Sequence, residues 1–495
     1  MLYVRMIILL LINLYSSRVV LEELGAEDFG IYNIVGGIVT MFTFLNSSMS
    51  SATSRFLTFE LGKKDYRKLT EIFKASFMLH IFIALLILLI SETIGLWFVN
   101  HKLVIPEAKM QVAGIVYQLS ILTIIIKTIQ VPFNASIISH ERMNIYAFIE
   151  IVNALVILTF LFLLQSWSNH KLIIYASMLT FVAMGVLCMY IFYCKKKFIE
   201  CKLKLSFNWA IMRPMLFFSG FDLYGNMGVT VRTQGINIIL NMFFGTIINA
   251  ASAIATQIQT AILMLSSNVA MAFRPQIIKT YASNKIDDME KLINYSSLIS
   301  VLLFSLFAVP LILELPYVLK LWLVTPPPHT IGITRIAIVA CWIGTINSIL
   351  MAPIHATGKI KTLSFCGGTI YLLTLPMVYV SLRIYTVPET AYVVMLIFMV
   401  ILLAATCTIL KHRIPNFSLS RYCFKTMMPC ILSIIVVTLL AIIVRSNIEE
   451  GFLRLALVTF TYFASILAMA YFVVLKKEQR MVVLAFIIKK TNKHE

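Results

Sequence analysis

Long apolar runs bounded by charges, prolines or polar clusters recur from one end of the chain to the other. A stretch of about 20 apolar residues crosses a bilayer as a helix. Such stretches lie at 1–21, 29–54, 71–97, 110–138, 145–166, 172–194, 214–243, 247–273, 293–315, 331–356, 362–384, 389–410, 426–445 and 452–475. The pattern predicts an all-α polytopic membrane protein with about fourteen transmembrane helices. The first 20 residues carry only Arg5 as a charged start and no small-residue cleavage site, and a second span begins within ten residues. The opening stretch is therefore expected to be a helix rather than a signal peptide.

The same design occurs twice. Leu24-Gly25 is echoed by Phe244-Gly245, and SSMSSATSR (Ser47 to Arg55) by SSNVAMAFR (Ser266 to Arg274) at an offset of 219. DYRKL from Asp65 finds its echo in DDMEKL at an offset of 223, pairing Asp65 with Asp288, and Pro132 and Ala135 meet Pro353 and Ala356 at an offset of 221. Four matches in order indicate an internal duplication, the arrangement of many secondary transporters. Six spans per copy is an even number, so both copies enter the membrane in the same direction. Two six-helix lobes are expected, related by a pseudo-two-fold along the membrane normal and facing a central cavity. The predicted organisation is an N-terminal lobe at 1–194, a basic linker at 195–213, a C-terminal lobe at 214–410, an appended helix pair at 411–475 and a basic amphipathic tail at 476–495. The first helix is shorter before Gly25 than its counterpart before Gly245, which leads to the expectation that the native start lies upstream of Met1.

Composition agrees with the spans: 60% of residues are hydrophobic, 13% are charged, and the mean hydropathy is +0.91. A net charge of +19 in a soluble chain would suggest nucleic acid, but here the basic residues fall between spans, and no nucleic-acid partner is expected. With the N-terminus placed inside, 30 of the 41 Lys and Arg lie in inside segments and 8 in outside ones. That asymmetry predicts both termini in the cytoplasm. The tail is too short to span and is expected to lie on the membrane surface, held by anionic lipid. The eight cysteines form no CxxC pair and no metal-ligand cluster, so neither a metal nor disulfides are expected.

No G-x-S-x-G, HExxH or Walker A motif is present, which argues against an enzyme and against ATP hydrolysis by this chain. No cofactor is expected. Ionisable residues inside spans are costly in hydrocarbon and become the functional candidates. Arg18, Lys127 and Arg232 are the three cations there, and together they would suit an anionic substrate. Against this stands the bland alternative of snorkelling or local pairing. Asp222 and Glu150 are candidates for ion coupling or for neutralising a neighbouring base. Arg55 and Arg274, paired by the repeat at helix ends, are candidates for gating or simple anchoring. Gly36, Gly37, Thr40, Asn46, Ser47 and Ser48 in the second span, with Gln257, Gln259, Thr260, Ser266, Ser267 and Asn268 in the eighth, serve either close packing or cavity lining.

SRVVLEELGAEDFGIYNIVGG followed by FLNSSMSSATSRFLTFELGKKD resembles the N-terminal signature of Wzx-type polysaccharide repeat-unit flippases. These flippases share a superfamily with multidrug and toxin extrusion transporters and lipid II flippases. The resemblance implies alternating-access translocation of undecaprenyl-pyrophosphate-linked oligosaccharides to the outer leaflet, for O-antigen, lipopolysaccharide or capsule biosynthesis. It implies as partners the lipid-linked oligosaccharide, membrane lipids, a polysaccharide polymerase and glycosyltransferases. Arg18, Lys127 and Arg232 would then meet the pyrophosphate or acidic sugars. The runner-up is a cation-coupled multidrug exporter, which should place acids rather than bases in its cavity.

Overall fold

A computed structural model describes residues 2–140, 142–166, 170–201, 208–357 and 361–474. The basic tail at 476–495 lies outside the described residues, as do the side chains of Asp222, Ser47, Ser266, Ser267 and Asn268. The described residues are helical throughout, with no strand among them.

The helices are α1 (Leu2–Thr40), α2 (Thr43–Lys63), α3 (Tyr66–Ile90), α4 (Leu96–His101), α5 (Met110–Ser139), α6 (Met143–Leu164), α7 (Lys171–Lys197) and α8 (Trp209–Phe244). They continue with α9 (Thr246–Ala282), α10 (Ile286–Leu323), α11 (Thr330–Ala356), α12 (Lys361–Ile384), α13 (Glu389–Arg413), α14 (Leu419–Arg421), α15 (Met428–Ser446) and α16 (Phe452–Met469). A π-turn at Ser91–Gly95 joins α3 to α4 and another at Tyr422–Met427 joins α14 to α15. Among the described residues eleven helical runs are long and apolar enough to cross a membrane, and a bent pair over α1 and α2 makes twelve. α8 is not among the eleven, because Asn226, Arg232, Gln234, Asn237 and Asn241 hold its hydropathy down.

Gly25 breaks α1 in two. Its φ of 74° and ψ of 169° fall in a region open essentially to glycine alone. Gly245, which separates α8 from α9, has φ 75° and ψ −168°. No atom lies within 4 Å of a Cβ built on either residue, so it is the backbone angle that requires glycine. The duplication also recurs in the next turn, with a change of register. Lys64 (φ 59°) ends α2 in the left-handed conformation and Asn284 (φ 55°) sits just beyond α9. Asp65 and Lys285 then cap α3 and α10. The offset is 220 at both turns, so the sequence match of Asp65 with Asp288 is three residues out of register. Asp65 accepts a hydrogen bond from Lys68 N at 3.0 Å. Lys285 has no acceptor to offer there, and that difference hides the equivalence in the sequence.

By contacts the chain forms two compact units: 1–254, 326–330 and 364–394 make the first, 255–325, 331–363 and 395–495 the second. The first is centred on α3, α5 and α7, where Phe73 and Phe133 meet edge to face at 5.4 Å and Tyr190 is fully buried. At the Gly25 end, Lys109 reaches Asp28 at 2.8 Å and Lys171 reaches Glu23 at 2.7 Å, so the starts of α5 and α7 both hold the acidic turn.

At the π-turn, Tyr117 of α5 donates to Ser91 O at 2.7 Å. A π-turn offsets the ladder of helix hydrogen bonds, and the phenol gives the carbonyl a partner. A Cβ at Gly95 would come within 2.1 Å of that same phenol oxygen, so glycine admits the tyrosine.

In the second unit, α15 and α16 pack on α10 around a buried carboxylate. Glu314 is fully buried, and its Oε2 receives Nε of Arg454 at 3.0 Å and Nη2 at 2.9 Å. Its Oε1 forms an ion pair with Arg445 Nε at 3.2 Å, and Glu450 adds a second acid 3.5 Å from Arg454. Two acids and two guanidinium groups balance, which is the condition for charge to be tolerated in an apolar surround.

Candidate functional site

α8 carries two working faces. At 100° per residue, Asn226, Gln234, Asn237 and Asn241 fall within about 80° of arc, while Tyr224, Gly228, Arg232 and Gly235 fall on the opposite side. The first face is tied by hydrogen bonds to its neighbours in the first unit. Asn226 donates to Ser48 Oγ at 3.2 Å and Gln234 to Thr40 Oγ1 at 3.0 Å. Asn241 holds the backbone N–H of Val104 at 2.8 Å and donates to Asn249 at 2.9 Å. Ser252 bonds both Asn237 and, at 2.6 Å, the hydroxyl of Tyr392.

The second face meets α12. A Cβ on Gly228 would lie 2.9 Å from Gly368 Cα, so the two backbones cross at close range through paired glycines. Tyr224 stacks on Phe365 at 5.4 Å and bonds Thr369 at 2.9 Å. Further along the helix, the Arg232 guanidinium lies 4.6 Å from the centre of the Tyr371 ring. A guanidinium on an aromatic face keeps its charge, and its planar N–H fork matches the geometry of an oxyanion.

A cavity of about 80 Å³ opens among α1, α5 and α7. Ser120, Thr123 and Lys127 reach it from one face of α5, and Tyr32, Gly36 and Thr40 from one face of α1. Lys127 is exposed to this space and lies within electrostatic reach of Glu150 on α6. The second span's small polar residues thus divide. Gly36 and Thr40 line the cavity, whereas a Cβ on Gly37 would touch Gln234 at 3.0 Å, and Asn46 donates to Thr128 at 2.9 Å.

Neither Arg18 nor Arg232 lines the Lys127 cavity. Arg18 is half-buried on the first segment of α1, next to buried Val19 and Val20. Arg55 and Arg274 are both exposed, each in its own unit. Asp222 lies on α8, with its side chain outside the described residues. Sequence reasoning missed Tyr371, for which no signal exists, and Glu314, which lies inside the span drawn at 293–315. It also missed Glu92, within the π-turn and bonded to Gln118 at 3.2 Å. Among the described residues no group of three or more His, Cys, Asp or Glu could hold a metal.

The MatE family profile matches residues 2–164, about a third of the chain. No curated protein matches in sequence. Among solved structures, a lipid II flippase MurJ in an inward closed conformation aligns with TM-score 0.70 at 12% identity, covering 94% of this chain and 97% of its own. An inward-facing multidrug resistance MATE family transporter of the MOP superfamily aligns with TM-score 0.69 at 13% identity, covering 83% and 96%. The MATE multidrug transporter DinF-BH aligns with TM-score 0.57 at 15% identity, covering 83% and 94%. These relatives are membrane transporters rather than enzymes, and the fold of this chain is the one they share.

Proposed function

We propose that the protein is a flippase that moves a lipid-linked oligosaccharide carrying a pyrophosphate from the cytoplasmic to the outer leaflet of the bacterial inner membrane, with both termini in the cytoplasm. The observation that carries this reading is Arg232, a guanidinium held on an aromatic face in the middle of α8. A drug exporter drawing in organic cations gains nothing from such a group, whereas phosphate oxygens pair with it bidentately. Arg18 is the second cation that the reading assigns to the pyrophosphate. The flippase alignment, which reaches over 94% of the chain against 83% for the exporters, favours the same side. The lobes at 1–194 and 214–410 are proposed to alternate access, and Arg55 and Arg274 to anchor their inner ends. A polymerase and glycosyltransferases of surface polysaccharide synthesis are the proposed partners.

The second reading, a cation-coupled multidrug exporter, is favoured by the MatE match over residues 2–164. Proteoliposomes loaded with an undecaprenyl-pyrophosphate-linked oligosaccharide separate the two. Wild-type protein should expose the glycan to an external lectin, and Arg232→Ala should lose most of that signal while still reconstituting. Efflux of a fluorescent organic cation with no glycan exposure would reverse the assignment.

A further inference from the structure

The seam between α8 and α12 continues beyond Arg232. Contacts climb the two helices together, from Tyr224 with Phe365 and Gly228 with Gly368, through Arg232 with Tyr371 and Gly235 with Leu375, to Phe243 with Tyr379. The helices therefore run in the same direction, and the last contact lies close to the end of both. Phe243 is eleven residues beyond Arg232, about 16 Å at the rise of an α-helix.

At that end the guanidinium on an aromatic face is repeated. Arg383 lies 5.6 Å from the centre of the Phe243 ring and 5.3 Å from that of Tyr379, and the two rings meet edge to face at 5.5 Å. Its Nη2 donates to the Tyr379 hydroxyl at 2.8 Å. A guanidinium has further N–H donors to give, and among the described residues no carboxylate pairs with this one. Glu389, the acid nearest to it in sequence, is held by His329 at 2.9 Å. The Tyr379 oxygen accepts from the guanidinium and keeps its own proton to donate. A guanidinium and a phenol thus stand side by side as donors in an exposed position, a set that suits an oxyanion.

The surroundings say what carries that oxyanion. Leu373, Met377, Val380 and Ile384 are exposed on α12 at spacings of four, three and four, an apolar stripe for acyl chains. At 100° per residue Arg383 lies about 90° round α12 from the centre of that stripe, on the side where Gly368, Leu375 and Tyr379 meet α8. Its donors stand at the border between lipid and seam. A free ion gains nothing from the stripe, whereas a phosphate carried on a lipid matches both.

We propose that Phe243, Tyr379 and Arg383 form a second phosphate site, at the outer membrane–water interface, which takes the phosphate or pyrophosphate of a membrane-anchored lipid. Arg232 and Arg383 are then two stations on one helix pair, the second placed where a headgroup arrives in the outer leaflet. The word outer, and cargo as the occupant, rest on the flippase reading above; the recognition of a lipid phosphate does not.

The test measures binding without transport, so a failed lectin assay and a failed site are separate results. Full-length Arg232→Ala protein in detergent, with Arg383 the station left on the seam, is given undecaprenyl pyrophosphate, phosphatidylglycerol or inorganic pyrophosphate. Native mass spectrometry reads the fraction carrying one ligand. At least one lipid should bind, and adding Arg383→Gln should reduce that fraction at least about fivefold. Tyr379→Phe, which keeps the ring and loses the hydroxyl, should reduce it about twofold. Arg383→Lys, which snorkels as well but lacks the fork, should reduce it about threefold. Preference for undecaprenyl pyrophosphate makes this the exit station of the cargo. Equal or stronger binding of phosphatidylglycerol, with the same dependence on Arg383, keeps the site and assigns it to an ordinary phospholipid. Undiminished lipid binding in Arg383→Gln or Arg383→Lys, as simple interfacial anchoring predicts for the lysine, would overturn the proposal. So would binding of neither lipid, or inorganic pyrophosphate bound as well as both.

Discussion

Gly25 and Gly245, 220 residues apart, adopt the same backbone conformation, with φ of 74° and 75° and ψ of 169° and −168°. Each ends the first helix of its repeat and starts the second without a loop. A non-glycine residue in this region costs about 1–3 kcal/mol. Gly25→Ala and Gly245→Ala should each lower the thermal unfolding midpoint in detergent, with no compensation from added apolar surface, because nothing lies within reach of the new methyl group. A midpoint unchanged in both variants would contradict the assigned turn geometry.

Tyr117 and Gly95 should behave as one unit. Gly95→Ala places a methyl group in the volume of the phenol oxygen, while Tyr117→Phe loses one hydrogen bond, about 0.5–1.5 kcal/mol. The double variant lacks the oxygen that the methyl group strikes. It should be less destabilised than the sum of the singles, and simple additivity in a double-mutant cycle would count against the contact.

The α8 and α12 glycines offer a graded comparison. A methyl group on Gly228 meets Gly368 backbone at 2.9 Å, whereas one on Gly235 meets the Leu375 side chain at 2.7 Å. A leucine can change rotamer and a backbone cannot. Gly228→Ala should therefore reduce folded yield and stability more than Gly235→Ala, as read by fluorescence-detected gel filtration after heating.

Cys201, which follows the end of α7, shares a hydrogen bond with Cys194 and is buried; the hydrogen bond and then burial push its thiol well above the ordinary pKa. The thiolate is the reactive form. Maleimide should leave Cys201 unlabelled in the folded protein across neutral pH and modify it after denaturation, which peptide mass spectrometry resolves.

What could be read in advance follows from which signals are local. Span length is local, so the helices appear where the apolar runs lie. The Gly25 and Gly245 turns were legible because one backbone angle demands one residue type. The following turn misled, because Lys64 and Asn284 share a conformation without sharing a side chain, and a nearby Asp288 matched Asp65 by letter. Site residues depend on helix faces that a sequence leaves unpaired. Gly36 and Gly37 are adjacent in the chain, yet one lines a cavity and the other packs on Gln234. Tyr371, against which Arg232 rests, is 139 positions away from it, and no spacing rule connects them.

The two arginines that hold Glu314 come from α15 and α16. Removing one partner of a buried ion pair costs about 3–5 kcal/mol, so Arg454→Met should be strongly destabilising and Glu314→Gln in the same chain should recover much of the loss. The same arithmetic bears on any attempt to trim the protein to the helices that precede α14. A chain ending near 413 would leave a bare carboxylate facing lipid, and would need Glu314 neutralised as well.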